Sequence, residues 1–171
     1  GGLALGRKPA PRSVATLLAD APLQAVVVCA VGIGNHDNMG GLFRNAAAFG
    51  AHAVLMDAAC CDPFYRKAIR VSVGAVLRTP MATAPSVEVL LDELEAAGFE
   101  TLALTPSATQ PLSAVRGSGR QALLLGAEGP GLPDAVIRRC RAVGIPMAGG
   151  FDSLNVAATS AVALHQLTQV R

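Results

Sequence analysis

From Gln24 onward, short apolar runs rich in β-branched residues alternate with longer stretches in which apolar positions recur every three or four residues. Residues 25–30, 53–56, 101–105, 122–125 and 143–145 predict strands. Leu42, Phe43, Ala46, Ala47 and Phe49 fall at helical spacing with Gly50 as a stop, which predicts a helix over 39–49. A second helix is predicted over 86–97, capped by Ser86, with Val89, Leu90 and Leu94 facing inward and Gly98 after its end. A third, short helix spans 133–140. The last, over 154–169, carries Ala157, Ala158, Ala161, Val162 and Leu164, so a broad face of it should be buried. Strands alternating with helices predict an α/β domain: a mostly parallel sheet flanked by helices.

Residues 1–22 break this rhythm. Arg7, Lys8, Pro9, Pro11 and Arg12 make the stretch basic and proline-rich, and it is expected to be a linker or arm outside the core, leaving 23–171 as one domain. With 171 residues, 51% of them hydrophobic, the chain is long enough for one buried core. The mean hydropathy of +0.44 does not imply a membrane span, because apolar runs such as residues 24–31 stop far short of the roughly 20 residues that cross a bilayer. No basic region followed by an apolar stretch and a cleavage site opens the sequence, and a cytoplasmic protein is expected. A net charge of +2 fits an anionic partner without requiring one. Cys29, Cys60, Cys61 and Cys140 lack paired ligand spacing and are expected to be reduced packing thiols, with no metal site.

Three segments carry residues that packing does not demand. In the first, Asn38, Gly40, Gly41 and Arg44, two glycines let the backbone turn closely into a helix while polar groups stand near its start. Read alone, Asn38 is equally a helix cap and Arg44 a solvated surface charge. The second runs from Leu124 through Gly126, Glu128, Gly129, Pro130 and Gly131, a strand leading into a glycine-rich loop with one carboxylate. Such loops at the carboxyl ends of strands are where open α/β sheets bind ligands, although Gly-Pro-Gly is also an ordinary turn. The third, residues 145–156, includes Ile145, Met147, Asp152, Ser153, Leu154 and Asn155; Ser153 suits a helix cap, whereas Asn155 is a poor helix former. Gly32, Gly34 and Asp37 miss the third glycine of a dinucleotide fingerprint, and no P-loop or nucleophile elbow occurs.

Taken together and in order, these segments resemble the three motifs of the SpoU/TrmH group of SPOUT-class RNA ribose methyltransferases, over about residues 25–169. Residues 38–50 read N-x-G-G-x-x-R-N-A-A-A-F-G, residues 123–132 read L-L-L-G-A-E-G-P-G-L, and residues 145–149 and 153–159 read I-P-M-A-G and S-L-N-V-A-A-T. Arg66, Lys67 and Arg70, followed by Ser72, Val73, Gly74 and Ala75, resemble the group's segment between the first two motifs. The resemblance implies a sheet whose C-terminal segments thread a loop as a deep trefoil knot, an arrangement otherwise rare. It also implies a homodimer, with an exposed apolar patch on the first and last helices, and S-adenosylmethionine as cofactor. By position Gly126, Ile145 and Leu154 would contact that cofactor through backbone, with Thr105, Glu128, Met147 and Ser153 as neighbours.

The same resemblance makes Arg44, Asn38, Glu128, Ser153 and Asn155 the catalytic set. A ribose 2′-hydroxyl is a weak nucleophile, and attack on a sulfonium methyl needs its proton drawn off and its oxygen aligned. A guanidinium is a poor proton acceptor, so Arg44 is read as a clamp on RNA phosphate and on charge developing at the 2′-oxygen. The implied partner is RNA, tRNA or rRNA, held also by basic residues such as Arg7, Lys8, Arg12 and Arg78. Two alternatives belong to other classes: a knotted RNA-binding protein that has lost methylation, and a SPOUT enzyme that methylates a base nitrogen.

Overall fold

Every residue of β1 (Ala25–Val31) is buried, which requires that both faces of its sheet be covered. A computed structural model of the chain describes residues 2–151 and 153–169 and shows how. β1 lies between β5 (Arg120–Gly126) and β2 (Ala53–Asp57), with β3 (Met81–Ala84) beyond β2, and β4 (Glu100–Leu104) and then β6 (Arg141–Val143) beyond β5. All five pairings of this six-stranded sheet, ordered β3-β2-β1-β5-β4-β6, are parallel.

Successive side chains of β1 feed opposite faces, as the two-residue period of a strand dictates. Val27, Cys29 and Val31 join a core completed by α1 (Val14–Ala19), α4 (Val87–Ala96) and α5 (Asp134–Arg139). Val26, Val28 and Ala30 join the other, built with Met39, Leu42 and Phe43 of α2 (His36–Ala48) and Ala163, Leu164 and Leu167 of α6 (Val156–Thr168). In α4 the inward residues are Leu90, Leu91 and Leu94; Val89, expected inside, is 38% exposed. The reason is phase, since Leu91 and not Val89 continues the stripe set by Val87 and Leu94.

Several boundaries differ from those the sequence predicts. The stretch expected to lie outside the core does so only through its exposed residues 2–13. Beyond them α1 is capped by Ser13, whose side chain accepts from Thr16 N, and Leu17 and Leu18 are each 1% exposed. At about 1.5–3 kcal/mol for each large apolar side chain fully buried, these two leucines anchor the helix. Arg120 adds a polar pin, donating to the carbonyls of Ala21, Pro22 and Ala97. β3, of four residues, and α3 (Arg66–Val71), of six, are too short to show a period. β6 begins and ends two residues earlier than predicted, leaving Ile145 in the loop that follows. There Gly144 N donates to Gln110 O at 3.0 Å and Leu112 N to Gly144 O at 2.7 Å, so the segments leaving β4 and β6 run against each other.

Because the strands are parallel, the loops after β1, β4, β5 and β6 all emerge at one edge of the sheet, the edge where such folds bind ligands.

Candidate active site

At the end of β5 the backbone of Gly126 is packed against the loop it leads into. A Cβ there would lie 2.5 Å from Leu132 N and also collide with the Gly131 carbonyl group. The loop folds back through Gly131 N donating to Ala127 O at 2.9 Å, with Gly129 and Gly131 at φ of 86° and 66°, a conformation glycine adopts without strain. The result is an open cleft between this loop and those after β4 and β6. Thr105, Gly126, Glu128, Ile145, Met147, Ser153 and Leu154, the residues expected around a cofactor, all line it. Leu104, Leu125 and Val156 make its wall largely apolar, and Thr105 Oγ1 pairs with Ser107 Oγ at 3.0 Å on one side.

Beside the cleft, three distant segments meet at one amide. Asn155 is the N-cap of α6, where Ser153 was expected; its Oδ1 accepts from Ala157 N at 2.9 Å and Ala158 N at 3.2 Å. Capping uses only the oxygen, and Nδ2 is left to donate to Asn38 Oδ1 and Glu128 Oε1, both at 3.0 Å. A residue poor inside a helix is thus well placed at its threshold. Asn38 is 5% exposed in the first turn of α2, a helix capped by Asn35 and not by Asn38. Asn38, Glu128 and Asn155 therefore form one hydrogen-bonded cluster, with Ser153 on the adjoining cleft wall.

Arg44 is not brought into this cluster. Six residues beyond Asn38 on α2, it stands about 9 Å further along the helix and is exposed on a groove that it shares with Asn38, Asn155 and Ala158. A second shallow depression joins Arg44 to Ser72, Val73 and Arg78. The two glycines of the first segment also act differently from expectation. They sit inside α2, not at a turn: a Cβ on Gly40 would meet Ala68 O at 2.7 Å and one on Gly41 would meet Ala157 Cβ at 2.6 Å. They let α3 and α6 approach α2. Asn45, not singled out from sequence, completes that packing by donating to Ala157 O at 2.8 Å and Ser160 Oγ at 2.9 Å. A polar amide inside a helix was the signal available.

Val162 on α6 is 44% exposed, and Ala158 of the same helix and Ala47 and Ala48 of α2 are exposed as well. The thiols lie away from the cleft: burial pushes Cys60 up to about 12, and its Sγ donates to Ala30 O at 3.2 Å. Among the described residues, no group of three His, Cys, Asp or Glu side chains is placed to hold a metal ion, and no helix is long and apolar enough to cross a membrane. Asp152 of the third segment lies outside the described residues.

Residues 25–165 match the SpoU rRNA Methylase family. The chain is 43% identical to an uncharacterized tRNA/rRNA methyltransferase of Mycobacterium tuberculosis, over 97% of this chain and 58% of that protein. Its fold is similar to that of the SpoU methyltransferase AviRb from Streptomyces viridochromogenes in complex with AdoMet, with a TM-score of 0.85 and 25% identity over 94% of this chain and 65% of that one. It is also similar to the crystal structure of an RNA 2′-O ribose methyltransferase, with a TM-score of 0.79 and 29% identity over 94% of this chain and 58% of that one. The chain thus spans between about half and two thirds of the length of these relatives.

Proposed function

The chain belongs to the SpoU rRNA Methylase family, and from that premise we propose that it transfers the methyl group of S-adenosylmethionine to a ribose 2′-hydroxyl of tRNA or rRNA. The observation that carries the proposal is the junction at Asn155, which ties residues of all three motif segments to the wall of one cleft.

The cleft fits such a cofactor. Its lining is mostly apolar, as a purine and the methylene groups beside the sulfonium favour, with Thr105 and Ser153 as isolated hydroxyls, and Gly126 presents backbone where any side chain would obstruct. Gly126, Ile145 and Leu154 would hold the cofactor through main-chain groups, with Thr105, Glu128, Met147 and Ser153 around it. When bound, S-adenosylmethionine supplies an electrophilic methyl group on a sulfonium. The protein's own part is alignment and charge. Asn155 fixes the Glu128 carboxylate at the rim, where it can accept a hydroxyl proton directly or through water or a phosphate of the RNA. Arg44, exposed on the neighbouring groove, clamps the RNA backbone and opposes negative charge developing on the 2′-oxygen.

The same proposal includes a homodimer formed through the exposed small and apolar residues of α2 and α6, a cytoplasmic setting, and a knotted path for the segment after β6. Support for the last is the hydrogen bonding of Gly144 to Gln110 and Leu112.

The test is to incubate the protein with tritium-labelled S-adenosylmethionine and total tRNA or unmodified rRNA, digest to nucleosides and identify the labelled product. Label in a 2′-O-methylnucleoside supports the proposal; label on a base nitrogen replaces the ribose with the base as acceptor. Absence of cofactor binding overturns it.

A further inference from the structure

Tyr65 is the only tyrosine in a sequence without tryptophan, and it is 51% exposed. A single exposed ring is ordinary. This one is backed by a second ring: the His36 imidazole lies against it with centroids 4.3 Å apart and planes inclined by 39°. Tyr65 precedes α3 without making a side-chain cap hydrogen bond. Holding the two helices together does not require the ring pair, because Gly40 already brings α2 against Ala68 O and Lys67 Nζ reaches Asp37 Oδ2 at 3.1 Å.

The surroundings are cationic. Arg66, Lys67 and Arg70 are exposed on α3 immediately after Tyr65. On the other side Lys8 of the N-terminal arm pairs with Asp62 Oδ2 at 3.1 Å and stands 5.3 Å from the centre of the Phe64 ring. Burial would raise the Asp62 carboxyl, but the Phe64 N–H, Lys8 and His36 outweigh it and hold that group below its ordinary value, ionised against Lys8. The position is also pointed. His36 opens α2 two residues before Asn38, so the ring pair stands at the same end of α2 as the residue that joins Asn155 at the cleft.

A pre-oriented aromatic face with cations on the neighbouring helix is what recognition of an unpaired nucleobase needs: the ring stacks on the base while the charges hold the adjoining phosphates. We propose that Tyr65, backed by His36 and flanked by Arg66, Lys67 and Arg70, is a stacking platform for an unpaired nucleobase of the RNA beside the reacting ribose. This rests on the methyltransferase reading above. Tyr65 acts here as a positioning residue: it sets where the RNA sits and leaves the methyl transfer itself to the cluster at Asn155.

The chain's own emission tests it, because with one tyrosine and no tryptophan Tyr65 dominates the fluorescence over the weak emission of phenylalanine. Titration with a single-stranded RNA oligonucleotide of mixed sequence should quench that emission, and the same sequence as a duplex should bind with little quenching. In the methylation assay Tyr65→Ala should raise the KM for RNA about five-fold to a hundred-fold, the range for losing one base–aromatic stack, with the Kd for S-adenosylmethionine unchanged. Tyr65→Phe and Tyr65→Trp should restore it. If RNA is bound and methylated while Tyr65 emission stays constant and Tyr65→Ala keeps the parental KM, the platform is wrong and the methyltransferase reading stands. If Tyr65→Ala weakens cofactor binding as much as RNA binding and Tyr65→Phe does not rescue, the ring pair is only a bracket between helices. If the parental protein neither binds RNA nor transfers label, both readings fall.

Discussion

Asn155 donates from Nδ2 to Asn38 Oδ1 at 3.0 Å across 117 residues of chain, while its Oδ1 caps the helix that carries it. One amide thus does two separable things. Asn155→Asp keeps a good capping oxygen but removes the donor and sets a second carboxylate against Glu128. Methyl transfer should fall about tenfold or more, since hydrogen bonds to charged groups contribute about 1.5–3 kcal/mol, with little change in urea stability. Asn155→Ala should lose the same activity and about 1 kcal/mol of stability besides.

Arg44 is exposed and outside the cleft, so its replacement should be silent in stability and in cofactor affinity. Arg44→Lys keeps the charge and loses the planar fork. We expect kcat/KM for RNA to drop about a hundredfold, the scale for one lost donor to a developing oxyanion. A normal rate in a steady-state assay with saturating cofactor would remove Arg44 from the mechanism.

Gly126→Ala addresses the cleft alone. The added methyl has no space against Gly131 and Leu132, and overpacking of this kind costs about 1–3 kcal/mol. The loop must shift, and calorimetric titration should show S-adenosylmethionine binding weakened about tenfold or more, in line with that cost. Affinity equal to the parent would mean that the cofactor does not depend on this turn.

Stability should decline in alkali through the buried thiols. Burial raises Cys29 and Cys60 above their unfolded values, Cys60 to about 12. A raised thiol keeps its proton in the folded state while the unfolded chain releases it, so the native state loses stability as pH rises from the unfolded value near 9 toward 12. Urea midpoints measured across that window should fall, and Cys60→Ala should flatten the decline. An unchanged slope in that variant would locate the sensitivity elsewhere.

Strand and helix alternation was legible because it depends on local periodicity: the five strands read from the sequence are present, and α4 and α5 begin and end within a residue of their predicted limits. The motif segments were legible as residues whose types packing did not explain, and the cleft gathers all seven expected cofactor neighbours. What periodicity could not reveal was set by partners far along the chain. Asn155 became the cap and Ser153 a cleft residue because Asn38 approaches from α2 and Glu128 from the loop after β5. Gly40 and Gly41 proved to be contact points because Ala68 and Ala157 come to them. α1 entered the core because the face of the sheet beneath it needed covering, and Leu17 and Leu18 supply that cover. The separation of Arg44 from the cluster follows from helix geometry once α2 starts at His36. The sequence by itself determined the elements and the chemical types at the site; the tertiary structure decided which of those residues share an atom's reach, because that depends on parallel loops converging at one edge of the sheet.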